Sequence, residues 1–138
     1  GVIVPDVPFE EKAELEQVFG RYGLEVISLI APTSKDRIQS IAKQAKGFVY
    51  CVSSLGVTGV RATIQEGVAD MVREVKKAKD IPCAVGFGIS TPEQAREMAQ
   101  ISDGVIVGSA IVKLVGQYGR DCVDHVGEYV RAMKQAIM

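Results

Sequence analysis

Apolar residues along the chain form two patterns: short unbroken runs, and longer segments in which they recur every three or four positions. Short unbroken runs are typical of strands that are covered on both faces, as in parallel sheets flanked by helices. Five segments have this character and are predicted to be strands: Gly1–Pro5, Glu25–Ile30, Phe48–Val52, Cys83–Phe87 and Gly104–Val107.

The segments with helical spacing follow these runs one by one. In the first of them the apolar stripe consists of Ala13, Leu15, Val18 and Phe19, and in the last it consists of Val123, Val126, Val130, Met133 and Ile137. In the segment over Thr63–Lys79 the stripe consists of Ile64, Val68, Met71, Val72 and Val75. The spacing predicts helices over Glu10–Tyr22, around Ile38–Ala45, and over Thr63–Lys79, Thr91–Gln100, Ser109–Val115 and Cys122–Ile137.

Strands and helices therefore alternate, which predicts an α/β fold with parallel strands joined by helical crossovers. Two closures fit this order: an open doubly wound sheet, or part of an eight-stranded (β/α)8 TIM barrel. A complete barrel takes about 250 residues. Five β/α units in 138 residues are a little over half of one. The chain begins inside a predicted strand without an initiator Met, and we therefore expect a single partial domain over residues 1–138.

The composition of the chain argues against several classes of partner and location. The chain is 47% hydrophobic with a net charge of −1, and its basic residues are interspersed with acidic ones, which argues against a nucleic-acid or membrane partner. It has no apolar run long enough to span a membrane and no signal-peptide pattern, and Cys51, Cys83 and Cys122 are scattered. These features predict a cytoplasmic protein with reduced cysteines.

The stretch from Gly86 to Gln94 reads as a strand end, a glycine turn and a capped helix start. Ser90 with Glu93, or Thr91 with Gln94, can form a capping box. One interpretation is a plain β-α connection. The other is that Gly88 lets the backbone approach an anion. The third glycine of a dinucleotide-binding fingerprint is missing, because Thr91 occupies its place.

Gly108 and Ser109 stand at the head of the next short helix. A helix N-terminus offers free N–H groups and a partial positive charge, and barrel enzymes commonly bind phosphate between their last two β/α units. The pair therefore predicts a phosphate site together with Gly88. No P-loop lysine pattern is present, which argues against nucleotide hydrolysis.

Other residues leave alternatives open. The glycine-bearing loop over 53–62 is either a lid or a connector, and Tyr50 either packs in the core or turns its hydroxyl into a pocket. Asp6 either serves function or caps a turn, whereas His125 is expected to be solvated or packed.

Taken together, these residues resemble the C-terminal part of the tryptophan synthase α subunit. The resemblance covers essentially the whole chain and is carried by five stretches: Val2–Glu11 (VIVPDVPFEE), Leu29–Thr33 (LIAPT), Tyr50–Ser53 (YCVS) with Gly56–Gly59 (GVTG), Gly86–Ser90 (GFGIS), and Gly104–Val112 (GVIVGSAIV). It implies strands 4 to 8 of a (β/α)8 barrel. It also implies a lyase that cleaves indole-3-glycerol phosphate into indole and glyceraldehyde 3-phosphate in tryptophan biosynthesis.

The resemblance also assigns residues. It places the substrate phosphate at Gly59, Gly88, Gly108 and Ser109. It places the pocket and its lid at Tyr50, Thr58, Phe87, Leu29 and Ile3. It implies no metal and no cofactor in this chain, because pyridoxal phosphate belongs to the β subunit, the partner in an α2β2 assembly.

The family uses a glutamate and an aspartate near its second strand to move protons during cleavage. Strands 1 to 3 are not in these 138 residues, so no catalytic residue is assigned and we expect the chain alone to be inactive. A part-barrel leaves sheet edges open, and we expect either self-association or closure by the missing segment. The alternatives are another phosphate-binding barrel enzyme or a non-catalytic phosphate-binding module. A Schiff-base aldolase is disfavoured because Lys113 is the one weak lysine candidate.

Overall fold

The computed structural model describes residues 1–52, 61–86 and 88–138. Its four strands form one parallel sheet in which the spatial order equals the chain order, as expected for successive β/α units. The strands are β1 (Ser28–Ile30), β2 (Val49–Val52), β3 (Cys83–Gly86) and β4 (Gly104–Ile106).

Helices connect the strands, as the spacing predicts. They are α1 (Lys12–Gly20), α2 (Ile38–Gln44), α3 (Arg61–Ala78), α4 (Pro92–Ala99), α5 (Ser109–Tyr118) and α6 (Cys122–Ala136). Short 3-10 turns precede α1 and α2, at Phe9–Glu11 and Pro32–Arg37, and a third at Gly119–Asp121 joins α5 to α6. Helix α3 begins two residues before its predicted start at Thr63, and α5 extends three residues beyond Val115. The α/β class with parallel strands is confirmed.

The predicted first strand is reduced to a single parallel bridge between Val2 and Val26. The Val2 N–H donates to the Glu25 carbonyl and the Ile27 N–H donates to the Val2 carbonyl, and the chain then turns at Pro5. Proline has no N–H to donate, so the ladder does not continue along this edge. The described residues therefore form four strands and one bridge, whereas the sequence predicts five strands.

The core lies between the sheet and helices α2, α3 and α4. The predicted stripe of α3 is buried at Val68, Met71, Val72 and Val75, and the strand residues that alternate toward the helices are buried with it. Because side chains alternate across a strand, the remaining strand residues share the opposite face, where no helix of the described chain covers them. These residues are half-buried: Leu29, Tyr50, Val52, Ala84 and Ile106.

The predicted stripes of α1 and α6 are only partly correct. In α1, Val18 is 50% exposed, whereas Lys12 is only 6% exposed because its Nζ reaches the Ser28 Oγ at 3.2 Å and Glu16 at 2.9 Å. In α6, Met133 is buried but Val123 is 75% exposed. Spacing finds an apolar stripe, but the neighbouring elements decide which part of it is covered.

Two further expectations concern the cysteines and membranes. Cys51, Cys83 and Cys122 are free, and the first two are buried. The neighbouring Cys83 thiol and burial raise the pKa of Cys51, which keeps it neutral. In the described part of the chain, every helix is too short or too polar to cross a bilayer.

Candidate functional site

A cavity of about 450 Å³ opens beside the carboxyl ends of β3 and β4. We call it the strand-end cavity. Its described lining residues are Tyr50, Gly88, Ile89, Ser90, Ile106, Gly108, Ser109, Ala110 and Lys113. The position matches the edge at which parallel α/β sheets bind their ligands.

Gly88 and Gly108 take equivalent places on the two neighbouring strands. Gly86 pairs with Ile106 in the parallel register, and each glycine follows two residues after its member of that pair. Gly88 has a φ of +78°, a conformation that L side chains rarely adopt. Among the described residues, no atom lies within 4 Å of a Cβ built on either glycine. On this wall of the cavity no side chain in the described part of the chain covers the backbone of the two glycines, so a ligand has room to approach it.

Helix α5 begins at Ser109, directly beside this bare backbone, with Gly108 as its N-cap. The first intrahelical bond is donated by the Val112 N–H to the Gly108 carbonyl at 3.0 Å. The N–H groups of the preceding turn have no partner within the helix, and they carry the positive end of the helix dipole. Ser109 is exposed and adds a hydroxyl. This arrangement suits an anion with several acceptor oxygens, such as a phosphate.

Tyr50 forms another side of the cavity from β2. Its ring lies over Gly86, since a Cβ built on Gly86 would be 2.5 Å from the Tyr50 Oη and 2.6 Å from its Cε2. Burial raises the pKa of the Tyr50 hydroxyl, so it is a neutral hydrogen-bonding group at physiological pH. Of the two interpretations left open by the sequence, the structure supports a side chain that lines the pocket.

The loop that carries Gly88 is held by a hydrogen-bonded cap. The Thr91 Oγ1 accepts from the Gln94 N–H at 3.3 Å, and the Gln94 Oε1 accepts from the Ser90 and Thr91 N–H groups at 2.8 and 3.1 Å. Thr91 and Gln94 therefore form the capping box, and not Ser90 and Glu93. From α6, the Tyr129 hydroxyl donates to the Ser90 carbonyl at 2.8 Å.

An acidic residue fixes β3 to β4 at the opposite ends of the strands. The Asp103 Oδ2 accepts from the Cys83 N–H at 2.7 Å and pairs with the Lys76 Nζ at 2.8 Å. The hydrogen bonds from Lys76 and from the Cys83 N–H hold the pKa of Asp103 below its usual value. The register that brings Gly88 level with Gly108 thus has an electrostatic anchor.

The structure brings together four residues that the sequence assigned to the site: Tyr50, Gly88, Gly108 and Ser109. Thr58, Gly59 and Phe87 lie outside the described residues. Leu29 lines a different cavity of about 180 Å³, and Ile3 is 39% exposed. The roles of all these residues remain predictions.

The structure also places Asp6 and His125, for which the sequence raises the question of a functional or a structural role. Asp6 is exposed near the end of the first predicted strand. The His125 ring stacks on the Tyr118 ring with centroids 3.6 Å apart, which fits the expected packing role.

The sequence did not assign Ile106, Ser90 or Lys113 to the site. Ile106 stands opposite Gly86 on β4, and knowing the strand register would have identified it. Lys113 lies four positions after Ser109, so helical spacing alone would have put it on the face of Ser109. Within residues 1–52, 61–86 and 88–138, no three His, Cys, Asp or Glu side chains are grouped so that they could hold a metal ion.

Comparison with known proteins gives a consistent result. The family model described as tryptophan synthase alpha chain matches residues 1–138. The tryptophan synthase alpha chain of Geobacillus kaustophilus is 57% identical over 117 residues, which are 85% of this chain and 44% of that protein. That of Lactiplantibacillus plantarum is 49% identical over 138 residues, which are 99% of this chain and 52% of that protein.

The solved structure of tryptophan synthase subunit alpha from Campylobacter jejuni superposes with a TM-score of 0.82 at 34% identity and covers 95% of this chain and 52% of that one. The chain thus spans about half the length of the curated relatives that it matches.

Proposed function

Because the chain belongs to the tryptophan synthase alpha chain family, we propose that its strand-end cavity binds the phosphate of indole-3-glycerol phosphate. The observation that carries the proposal is the convergence of two bare glycine backbones and the first turn of α5 on one cavity. A phosphate monoester carries about −1.5 to −2 charges at neutral pH and presents three acceptor oxygens. The free N–H groups of a helix N-terminus suit such a group.

The apolar part of the cavity suits the remainder of the substrate. Ile89 and Ile106 line it beside Tyr50, and together they offer an apolar surface with one hydroxyl. We assign the indole and glycerol portions to this side, with Phe87, Leu29 and Ile3 retained from the sequence as further pocket residues. Thr58 and Gly59 are retained as the lid and its phosphate contact.

The proposed reaction is a retro-aldol cleavage by a complete barrel. A proton is added to the indole carbon, the carbon–carbon bond to the glycerol portion breaks, and the glycerol hydroxyl gives up its proton as the aldehyde forms. The products are indole and glyceraldehyde 3-phosphate. None of the described residues that line the strand-end cavity carries a carboxylate that could move these protons. We therefore propose that these 138 residues bind and orient substrate, and that the two carboxylates of the family belong to the other β/α units.

We further propose that the complete protein works in the cytoplasm with a β subunit, in an α2β2 assembly, and that the pyridoxal phosphate chemistry takes place on that partner. The free thiols of Cys51, Cys83 and Cys122 support a reducing compartment. Indole, the apolar product, is the compound passed to the partner.

Two measurements test the proposal. Binding of indole-3-glycerol phosphate should exceed that of simple phosphosugars, and equal weak binding of all of them would favour a non-catalytic phosphate module. The purified 138-residue chain should release no measurable indole from indole-3-glycerol phosphate. Turnover near that of a whole α subunit would refute the assignment of the chemistry to the other units.

A further inference from the structure

We propose that Lys113 supplies the positive charge that neutralises the bound phosphate in the strand-end cavity. This inference rests on the proposed function and deepens it, because it names a specificity-determining side chain at the same site. In the sequence, Lys113 is only a weak candidate for a Schiff-base lysine. The resemblance does not assign it to the phosphate site.

The geometry follows from the helix that carries it. Lys113 is the fifth residue of α5, four positions after Ser109, and residues at this spacing lie one above the other on the same face. Helical side chains point back toward the N-terminus, so a lysine at this position extends over the first turn. Lys113 is accordingly among the residues that line the cavity, with Ser109 and Gly108.

The charge balance of the cavity gives Lys113 a distinct role. It is the only one of the described lining residues that has a formal charge. Its Nζ forms no hydrogen bond or ion pair with any residue in the described part of the chain. Backbone N–H groups give a phosphate partial charges only, whereas an ammonium adds a full charge and up to three donors. A flexible exposed lysine can provide this without fixing the position of the phosphate, which the backbone already defines.

The consequence is a preference for doubly charged phosphate over neutral or singly charged groups of similar size. The effect should weaken as salt rises, because exposed charges are screened over about 10 Å at 0.1 M ionic strength. The reaction does not need Lys113 as a nucleophile, and the ammonium stays outside the bond-breaking step.

The test uses the full natural polypeptide and calorimetric titration with glycerol 3-phosphate and with inorganic phosphate at low salt. Lys113→Met should lower the affinity about fivefold, the upper end of what an exposed ion pair contributes. Lys113→Arg should remain within about twofold of the wild type, because it keeps the charge. Lys43→Met is the matched control: it removes another exposed lysine, on α2, and should leave the affinity unchanged. Raising the salt should reduce the difference between wild type and Lys113→Met.

Two results would overturn the inference. Wild-type affinity in Lys113→Met, with phosphate still bound, would remove Lys113 from the site and leave the proposed function intact. Failure of the wild type to bind either probe would instead refute the phosphate cavity itself, and Lys113 with it. Thermal denaturation of each variant separates a folding defect from a binding defect. If Lys113→Met unfolds, Lys113→Gln takes its place, because it also removes the charge and should lower the affinity to the same extent.

Discussion

Replacing Gly86 by alanine should displace Tyr50 from its place in the strand-end cavity. A Cβ on Gly86 would stand 2.5 Å from the Tyr50 Oη, 2.6 Å from Cε2 and 2.8 Å from Cζ. Ordinary van der Waals contact needs about 3.5 Å or more, so the ring must move by about 1 Å. Gly86 does not have a positive φ, so alanine fits its backbone conformation. The loss of stability should therefore come from the contact with Tyr50 and not from backbone strain.

The expected cost follows from the effect of overpacking a buried position. Inserting a methyl group into a packed site usually costs about 1–3 kcal/mol, and we expect the lower half of that range because the half-buried Tyr50 ring can swing toward the cavity. The affinity for glycerol 3-phosphate should fall as well, because the displaced ring enters the space that lines the cavity.

A double-mutant cycle in urea denaturation measures this coupling. Gly86→Ala is made in the wild type and in the Tyr50→Ala background, where the clashing ring is absent. The substitution should cost about 1 kcal/mol or more in the first background and less than about 0.5 kcal/mol in the second. Gly104→Ala on β4, where no described atom lies within 4 Å of the added Cβ, controls for the general effect of the exchange in a strand. Equal costs of Gly86→Ala in both backgrounds would refute the argument.

Three further predictions concern the supports of the site. Asp103→Asn should lower the free energy of unfolding by about 1 kcal/mol at neutral pH, since it removes a charged hydrogen-bond acceptor. Because the pKa of Asp103 is lowered in the folded state, the Asp103 carboxylate should stabilise the protein above about pH 4, and this stabilisation should be lost as the pH falls below that value. The difference in unfolding free energy between the wild type and Asp103→Asn should therefore vanish in acid. A difference that does not depend on pH would contradict this. Thr91→Ala should lower the melting temperature through the loss of about 1 kcal/mol of helix capping, and an unchanged melting temperature would argue against the cap. Gly108→Ala should weaken phosphate binding in calorimetric titration, because its Cβ enters open space beside the cavity, and it should cost less than about 1 kcal/mol of stability, since alanine is a poorer N-cap than glycine. Gly116→Ala in the body of α5 should leave binding unchanged, and equal weakening by both variants would contradict the prediction.

Local chemistry made several features predictable from the sequence. The stripe of α3 is buried where the spacing placed it at Val68, Met71, Val72 and Val75, because this part of the helix packs its apolar face against the core. The side chain of Ile64, the remaining member of the predicted stripe, lies outside the described part of the chain. The start of α4 was predictable from the sequence, because its capping residues Thr91 and Gln94 are close together in the chain. The start of α5 was predictable in the same way, since the helix begins at Ser109 with Gly108 as its N-cap, where the sequence placed it.

Tertiary relations were not predictable in the same way. The contact of Tyr50 with Gly86 and the place of Ile106 opposite Gly86 depend on strand register, which joins residues far apart in the sequence. Lys12 is buried although it is charged and lies outside the predicted stripe of α1, because its Nζ donates to the Ser28 hydroxyl and forms an ion pair with Glu16. The first predicted strand is only a bridge because the chain turns away at Pro5, and the apolar run of this strand does not show how far its pairing extends.

The hydrogen bond from Tyr129 to Ser90 also has a consequence for biosynthesis. Its two residues are 39 positions apart, so at about 5–20 residues per second the ribosome adds Tyr129 about 2–8 s after Ser90. The sheet can assemble strand by strand during this time, since its order in space is its order in the chain. Until α6 emerges from the ribosome, the hydrogen bond from Tyr129 is missing. Of the contacts described above, the capping box of Thr91 and Gln94 is then the one that holds the loop that carries Gly88. A message that ends before Tyr129 would therefore yield a chain that has all four strands of the described sheet but lacks the hydrogen bond from α6 to the loop that carries Gly88.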